Sequence, residues 1–140
     1  MILIICMNSF ILDSSFIIAV YLNTDSQFEK ASLVYKELKG KNLFVTSGVV
    51  HEVCNFLFYK AKLPDIANLF IEHIVGSKNI KVLESNSYLE LINFTNNNKD
   101  LKLSYTDVSL LFYESFYGYE LVTFDQNLLK VREKFYKKRT

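Results

Sequence analysis

Glycine and proline are scarce in this chain of 140 residues, which carries four Gly and a single Pro. That shortage argues against an all-β meander, which needs frequent turn residues, and for long elements joined by compact connections. Cysteine is nearly absent: Cys6 and Cys54 are far apart and form no CxxC pair. The chain therefore supports neither a disulfide framework nor a four-ligand zinc site, and both cysteines read as reduced, buried small hydrophobes of a cytoplasmic protein. Its two histidines, His51 and His73, have no cysteine partners. His51 adjoins Glu52, but neighbouring helical positions point about 100° apart, so the two do not face one site together. Charge of one sign is also missing. A net charge of +1 removes any whole-chain electrostatic footprint for nucleic acid. The basic tail 130–140 is the local exception, and it suits a solvated terminal helix as well as a phosphate contact.

One long apolar run exists, residues 1–22, interrupted by Asp13. A carboxylate near the middle of a membrane span costs about 2.5–3.5 kcal/mol on insertion scales. There is no basic n-region and no small-x-small cleavage site. A buried strand followed by a helix explains the run better, and no membrane partner is expected. Met7 is an alternative start, which would make residues 1–6 an N-terminal extension.

What the chain has in quantity is core. Half its residues are hydrophobic, with 12 Phe and 9 Tyr, enough for a single packed domain spanning 1–140. Hydrophobic periodicity and cap residues predict strands at 9–12, 43–46, 80–83 and 120–124. Helices are predicted at about 14–22, 25–39, 47–62, 64–75, 85–93 and 104–117, with a short helix in the tail. Gly40, Gly76 and Gly118 serve as stops. Strands alternating with helices at these intervals indicate an α/β fold around a mostly parallel sheet of four to five strands. In such sheets the active crevice lies beyond the carboxyl ends of the strands.

Four acids sit in or beside apolar stretches: Asp13, Glu52, Asp107 and Asp125. A carboxylate among hydrophobic groups loses hydration, which a cation, a proton or strong hydrogen bonds can offset. Taken singly, Asp13 and Asp125 suit helix N-caps, and Asp107, three residues after Ser104, resembles a capping box. Glu52 is harder to explain locally. On a helix from Ser47 it shares a face with Val49, Val53, Phe56 and Leu57, the stripe expected to meet the core. Glu114, two turns beyond Asp107, is a reserve candidate for the same cleft. Four such carboxylates converging in one fold call for a divalent cation held through oxygen.

The motifs Ile11-Leu12-Asp13-Ser14-Ser15, Thr46-Ser47-Gly48-Val49-Val50-His51-Glu52-Val53, Leu103-Ser104-Tyr105-Thr106-Asp107-Val108 and Leu121-Val122-Thr123-Phe124-Asp125-Gln126-Asn127, in that order, resemble the PIN-domain ribonucleases. They are most similar to the small single-domain toxins of VapBC-type toxin–antitoxin pairs. The resemblance implies a Rossmann-like fold and Mg²⁺ or Mn²⁺ held by Asp13, Glu52, Asp107 and Asp125. It implies endonucleolytic cleavage of RNA, a homodimer and a cognate antitoxin. Ser14 and Thr123 match hydroxyls beside the first and last acids, and Asn127 falls where many members carry another acid. Such a site would hydrolyse the phosphodiester with a metal-activated water, leaving 5′-phosphate and 3′-hydroxyl ends. Two further readings stay open: a PIN-type nuclease of RNA processing or decay, and a catalytically silent α/β binding module. A receiver-like phosphate module fits poorly, because the third strand leads to Glu84-Ser85 rather than to an aspartate.

Overall fold

The computed structural model describes residues 8–84 and 88–139. The expected extension 1–6, the start at Met7 and a helix opening at Ser85 lie outside the described residues. Four strands form the sheet: β1 (Ser9–Leu12), β2 (Asn42–Thr46), β3 (Ile80–Leu83) and β4 (Glu120–Val122). They lie in the order β3-β2-β1-β4, and every pairing is parallel. β1 is therefore central, with Ile11 opposite Phe44 on one side and Leu121 on the other. A central parallel strand is covered on both faces, and its residues Ile11 and Leu12 are both buried, as expected of an uninterrupted apolar run.

Seven α-helices flank the sheet among the described residues: α1 (Ser14–Tyr21), α2 (Phe28–Glu37), α3 (Ser47–Asn55), α4 (Pro64–Gly76), α5 (Tyr88–Asn97), α6 (Tyr105–Tyr117) and α7 (Gln126–Lys137). This is the expected Rossmann-like α/β architecture. Differences from the sequence reading are local. The helix expected over 47–62 is α-helical only to Asn55 and continues as a π-helical turn, Phe56–Lys60. The fourth strand stops at Val122 instead of 124, and the tail forms a helix of 12 residues. The N-cap of α3 is Thr46, whose hydroxyl accepts from the Val49 amide at 3.1 Å, not Ser47. The aromatic run on α6 divides: Phe112 and Tyr113 are buried, while Phe116 and Tyr117 are exposed.

Glu114 belongs to this framework and not to the acidic cleft. Its buried carboxylate takes a forked ion pair from Arg132 on α7, Nε to Oε1 at 2.7 Å and Nη2 to Oε2 at 2.9 Å. It also accepts from the Tyr136 hydroxyl at 2.8 Å and from the Leu121 amide of β4 at 2.8 Å. One side chain thus joins α6, β4 and α7 with four hydrogen bonds. Burial, and then the Glu114 charge, push the Tyr136 phenol well above its ordinary range. Arg132 remains about a third exposed, so screening reduces what the pair contributes. Glu114→Ala is expected to lower stability by about 2–3 kcal/mol. Arg132→Ala should cost a similar amount by leaving a buried charge unpaired, and the double variant less than the sum, as read from urea midpoints in a double-mutant cycle.

Candidate active site

At the carboxyl end of β1 the chain turns directly into α1, and Asp13 sits at the junction, only 2% exposed. Its amide extends the sheet ladder by donating to the Val122 carbonyl at 3.0 Å. Although Asp13 occupies the N-cap position of α1, its side chain caps nothing. Instead Oδ2 accepts from the Thr123 hydroxyl at 2.6 Å and the Ser15 hydroxyl at 2.8 Å. Each hydroxyl has one proton, so with both given to Asp13 their 3.1 Å approach is a contact between oxygens. Those oxygens in turn accept backbone amides: Phe124 donates to Ser15 at 2.9 Å and Asp125 to Thr123 at 3.0 Å. The loop from β4 to α7 is thereby tied to Asp13. Thr123, expected beside the last acid, gives its hydroxyl proton to the first. Ser15 was not singled out for this role, and a hydroxyl two residues after the first acid was the available signal.

The other three acids approach from separate helices. Asp107, in the first turn of α6, is half-buried; Ser104 caps that helix by accepting the Asp107 amide at 3.1 Å. Asp125 caps α7, with Oδ1 accepting the Leu128 amide at 3.0 Å, so local capping and a place near the other acids coexist. It follows β4 by a short loop and does not end the strand itself. Glu52 departs from the core-stripe expectation. The buried face of α3 and its continuation is Val49, Val53 and Leu57, whereas Glu52 borders it and is exposed.

The electrostatics nevertheless join the four. Glu52 is raised from its ordinary 4.5 to about 7, first by loss of hydration, then by the charges of Asp107, Asp13 and Asp125; a Ser14 hydrogen bond opposes the rise. The residue is exposed overall, yet its carboxyl end faces other acids and is partly dehydrated. Asp107 is raised from 3.8 to about 6, again by burial first and then by Asp13 and Asp125, with a hydrogen bond to Ser104 opposing. Asn127 is exposed, and its side chain makes no hydrogen bond among the described residues.

The ion pairs among the described residues are Arg132–Glu114, Lys137–Glu133 and Lys138–Asp100, and none reaches the four acids. Among those residues, no three His, Cys, Asp or Glu side chains stand in ligating geometry. An all-protein cage is not required for a small hard cation, which commonly keeps several waters and takes only one or two carboxylates. The donor set, four carboxylates with no imidazole or thiolate, fits Mg²⁺ or Mn²⁺. A separate hollow of about 350 Å³ lies at the opposite edge of the sheet, near Lys36, Lys39, Lys41 and Asn79, and has no acid lining it.

Gly48 sets the spacing between α3 and α6. A Cβ there would stand 2.9 Å from the Thr106 hydroxyl oxygen, beside Asp107 in sequence and one turn before Glu52.

Residues 10–134 match the family model of the PIN domain. The chain belongs to the PIN-domain family. PIN domains are nucleases and are generally dependent on divalent metal. This PIN domain is similar in fold to VapC20 of Mycobacterium tuberculosis, a sarcin–ricin loop cleaving toxin, with a TM-score of 0.74, 16% identity, and coverage of 87% of this chain and 94% of that one. It is also similar to PAE2754 of Pyrobaculum aerophilum, with a TM-score of 0.58, 21% identity and 93% coverage of each chain. At such identities the likeness is one of fold. No curated protein matches the sequence.

Two outcomes follow for this PIN domain. A carboxyl whose pKa rises on folding stabilises the fold while it is protonated, and that stabilisation is lost as pH climbs through the folded value. For Glu52 the contribution is whole below 4.5 and gone above about 7; for Asp107 the window runs from 3.8 to about 6. Calorimetry in EDTA should therefore show Tm falling across this range, with a shallower fall for Glu52→Gln. Gly48→Ala should crowd Thr106 at about 1–3 kcal/mol, offset by about 1 kcal/mol of helix propensity. Its Tm should fall, and adding Thr106→Ala should restore it.

Proposed function

We propose that this PIN domain is an Mg²⁺- or Mn²⁺-dependent endoribonuclease acting as the toxin of a VapBC-type toxin–antitoxin system. The observation that carries the reading is the electrostatic influence of Asp13, Glu52, Asp107 and Asp125 on one another: loss of hydration and then the neighbouring acids raise Glu52 and Asp107, and no ion pair among the described residues relieves them. A bound divalent cation supplies Lewis acidity toward a phosphate oxygen and makes an attacking water more acidic. The protein residues have separate tasks. Asp13 is held by Ser15 and Thr123, whose hydroxyls both engage Oδ2, so that Oδ1 is the oxygen that would hold a cation. Glu52 and Asp107, raised above their ordinary range, would release protons on holding a cation, so affinity for it would rise with pH. Asp125 adds negative charge from a capping position that fixes its orientation.

The toxin assignment is supported by the likeness in fold to VapC20, itself a sarcin–ricin loop cleaving toxin. It carries with it RNA as substrate, a cognate antitoxin as inhibitor, a homodimer and a cytoplasmic location. Phe116, 68% exposed, is available for a contact between copies. No helix among the described residues is long and apolar enough to cross a membrane.

Purified protein incubated with mixed RNA is expected to cut it in Mg²⁺ or Mn²⁺ and not in EDTA, leaving 5′-phosphate ends. Asp13→Asn should lose nearly all activity with the fold intact, and Ser15→Ala or Thr123→Ala about ten- to a hundredfold. Absence of cleavage in either metal, together with no metal binding by calorimetry, would leave a silent binding module as the better reading.

A further inference from the structure

The contacts Lys60–Phe56, Arg132–Tyr136 and Arg139–Phe135 each lay a cation on a ring four positions away. Helical spacing accounts for them. Lys30 makes a contact of another kind, between distant elements. It stands in the first turn of α2 and holds its Nζ 5.6 Å from the centroid of the Phe124 ring, in the loop between β4 and α7.

Phe124 is fixed from two sides. Its ring packs at 5.8 Å on that of Phe16, a core residue 1% exposed. Its amide donates to the Ser15 hydroxyl, which itself donates to Asp13. The platform under Lys30 is therefore part of the network that positions the first acid. Attraction between an ammonium and a ring face is worth about 0.5–1 kcal/mol at an exposed site, enough to bias a long side chain without tying it down. An ammonium has three N–H donors, so the contact leaves donors to spare. Lys30 is exposed, and the ion pairs among the described residues do not include it. Arg132, by contrast, is engaged by Glu114, and Lys138 by Asp100.

Charge decides what this ammonium meets. Fully ionised, the four acids carry four negative charges, and one divalent cation cancels two of them. A phosphodiester chain brings more negative charge to the same place, while a net charge of +1 supplies no general attraction. A cation beside the acids, and not spent on them, lowers that repulsion. Contacts to phosphate also fix where a nucleic acid lies without reading its bases.

We propose that Lys30 is a substrate-binding residue of this site, its ammonium holding the backbone phosphate next to the one being cut, so that the scissile phosphate comes to rest at the acids. This role rests on the nuclease reading and adds to it the residue that sets the register of the substrate chain.

The test compares the parent with Lys30→Met, Lys30→Arg and Lys39→Met on a labelled RNA fragment from the pool that the parent cuts. Methionine keeps an apolar stem against Phe124 and removes the charge. Lys39, on the wall of the hollow at the opposite edge of the sheet, controls for the loss of any one charge. Binding is followed by fluorescence anisotropy across a salt series with Mg²⁺, in an Asp107→Asn background that leaves the Ser15–Phe124 contact alone. Steady-state cleavage is followed in the unaltered background. Lys30→Met should raise KM about three- to fivefold at low salt, with kcat within about twofold. The slope of log affinity against log salt should become shallower by about 0.7–0.9, as for one lost phosphate contact. Lys30→Arg and Lys39→Met should both keep the parent's slope and KM. A parental slope and KM in Lys30→Met, or an equal change in Lys39→Met, would overturn the role while the nuclease stands. An unchanged slope beside a lowered Tm would reduce Lys30 to a tie between α2 and the loop, which overturns it too. If the parent neither binds nor cuts RNA, the nuclease reading falls and the role of Lys30 with it.

Discussion

A buried carboxylate bridging two strands is the constraint on which this molecule turns. Asp13 has little access to water, and its hydration is replaced by Ser15 and Thr123. Those hydroxyls are held in turn by the amides of Phe124 and Asp125. The same contacts that make the charge tolerable therefore determine where the β4–α7 loop runs, and with it where Asp125 stands. Removing a hydroxyl would disturb both the charge and the loop, because a dehydrated polar network is costly when only partly satisfied.

The chain treats its buried acids in two opposite ways. Glu114 is neutralised completely, by a guanidinium fork, a phenol and an amide, and it locks three elements. The four acids of the candidate site have hydroxyls, amides and caps, and none of the ion pairs among the described residues reaches them. Hydrogen bonds orient these carboxylates without cancelling their charge. That difference separates a framework acid from one kept for external chemistry more clearly than burial does, since Glu52 is exposed and Glu114 is not.

Alternation of apolar runs with helical stripes was enough to read the parallel sheet, because a buried strand such as Ile11-Leu12 has no polar alternative. The four acids were legible as residues out of place. Their partners were less so. Ser15 and Thr123 are separated by 108 positions and meet only through the β1–β4 pairing. Glu114 looked like a fifth cleft acid because helical spacing identifies a shared face but not the partner waiting on α7. Glu52 was placed in the core stripe since that stripe's width, and the boundary at which a side chain escapes it, depend on how closely α3 and α6 approach at Gly48. Strand β4 ends at Val122 because Thr123 turns its hydroxyl to Asp13, a tertiary demand that β-propensity does not record.

The strand order has a consequence for how the protein is made. β1 is made before the other three strands and occupies the sheet's centre, yet one of its two neighbours is β4, the last of them in sequence. Until that strand leaves the ribosome, Asp13 has no Thr123 and the cleft has no Asp125. A chain cut short before β4 thus lacks the completed acid cluster, which assembles only when β4 pairs with β1.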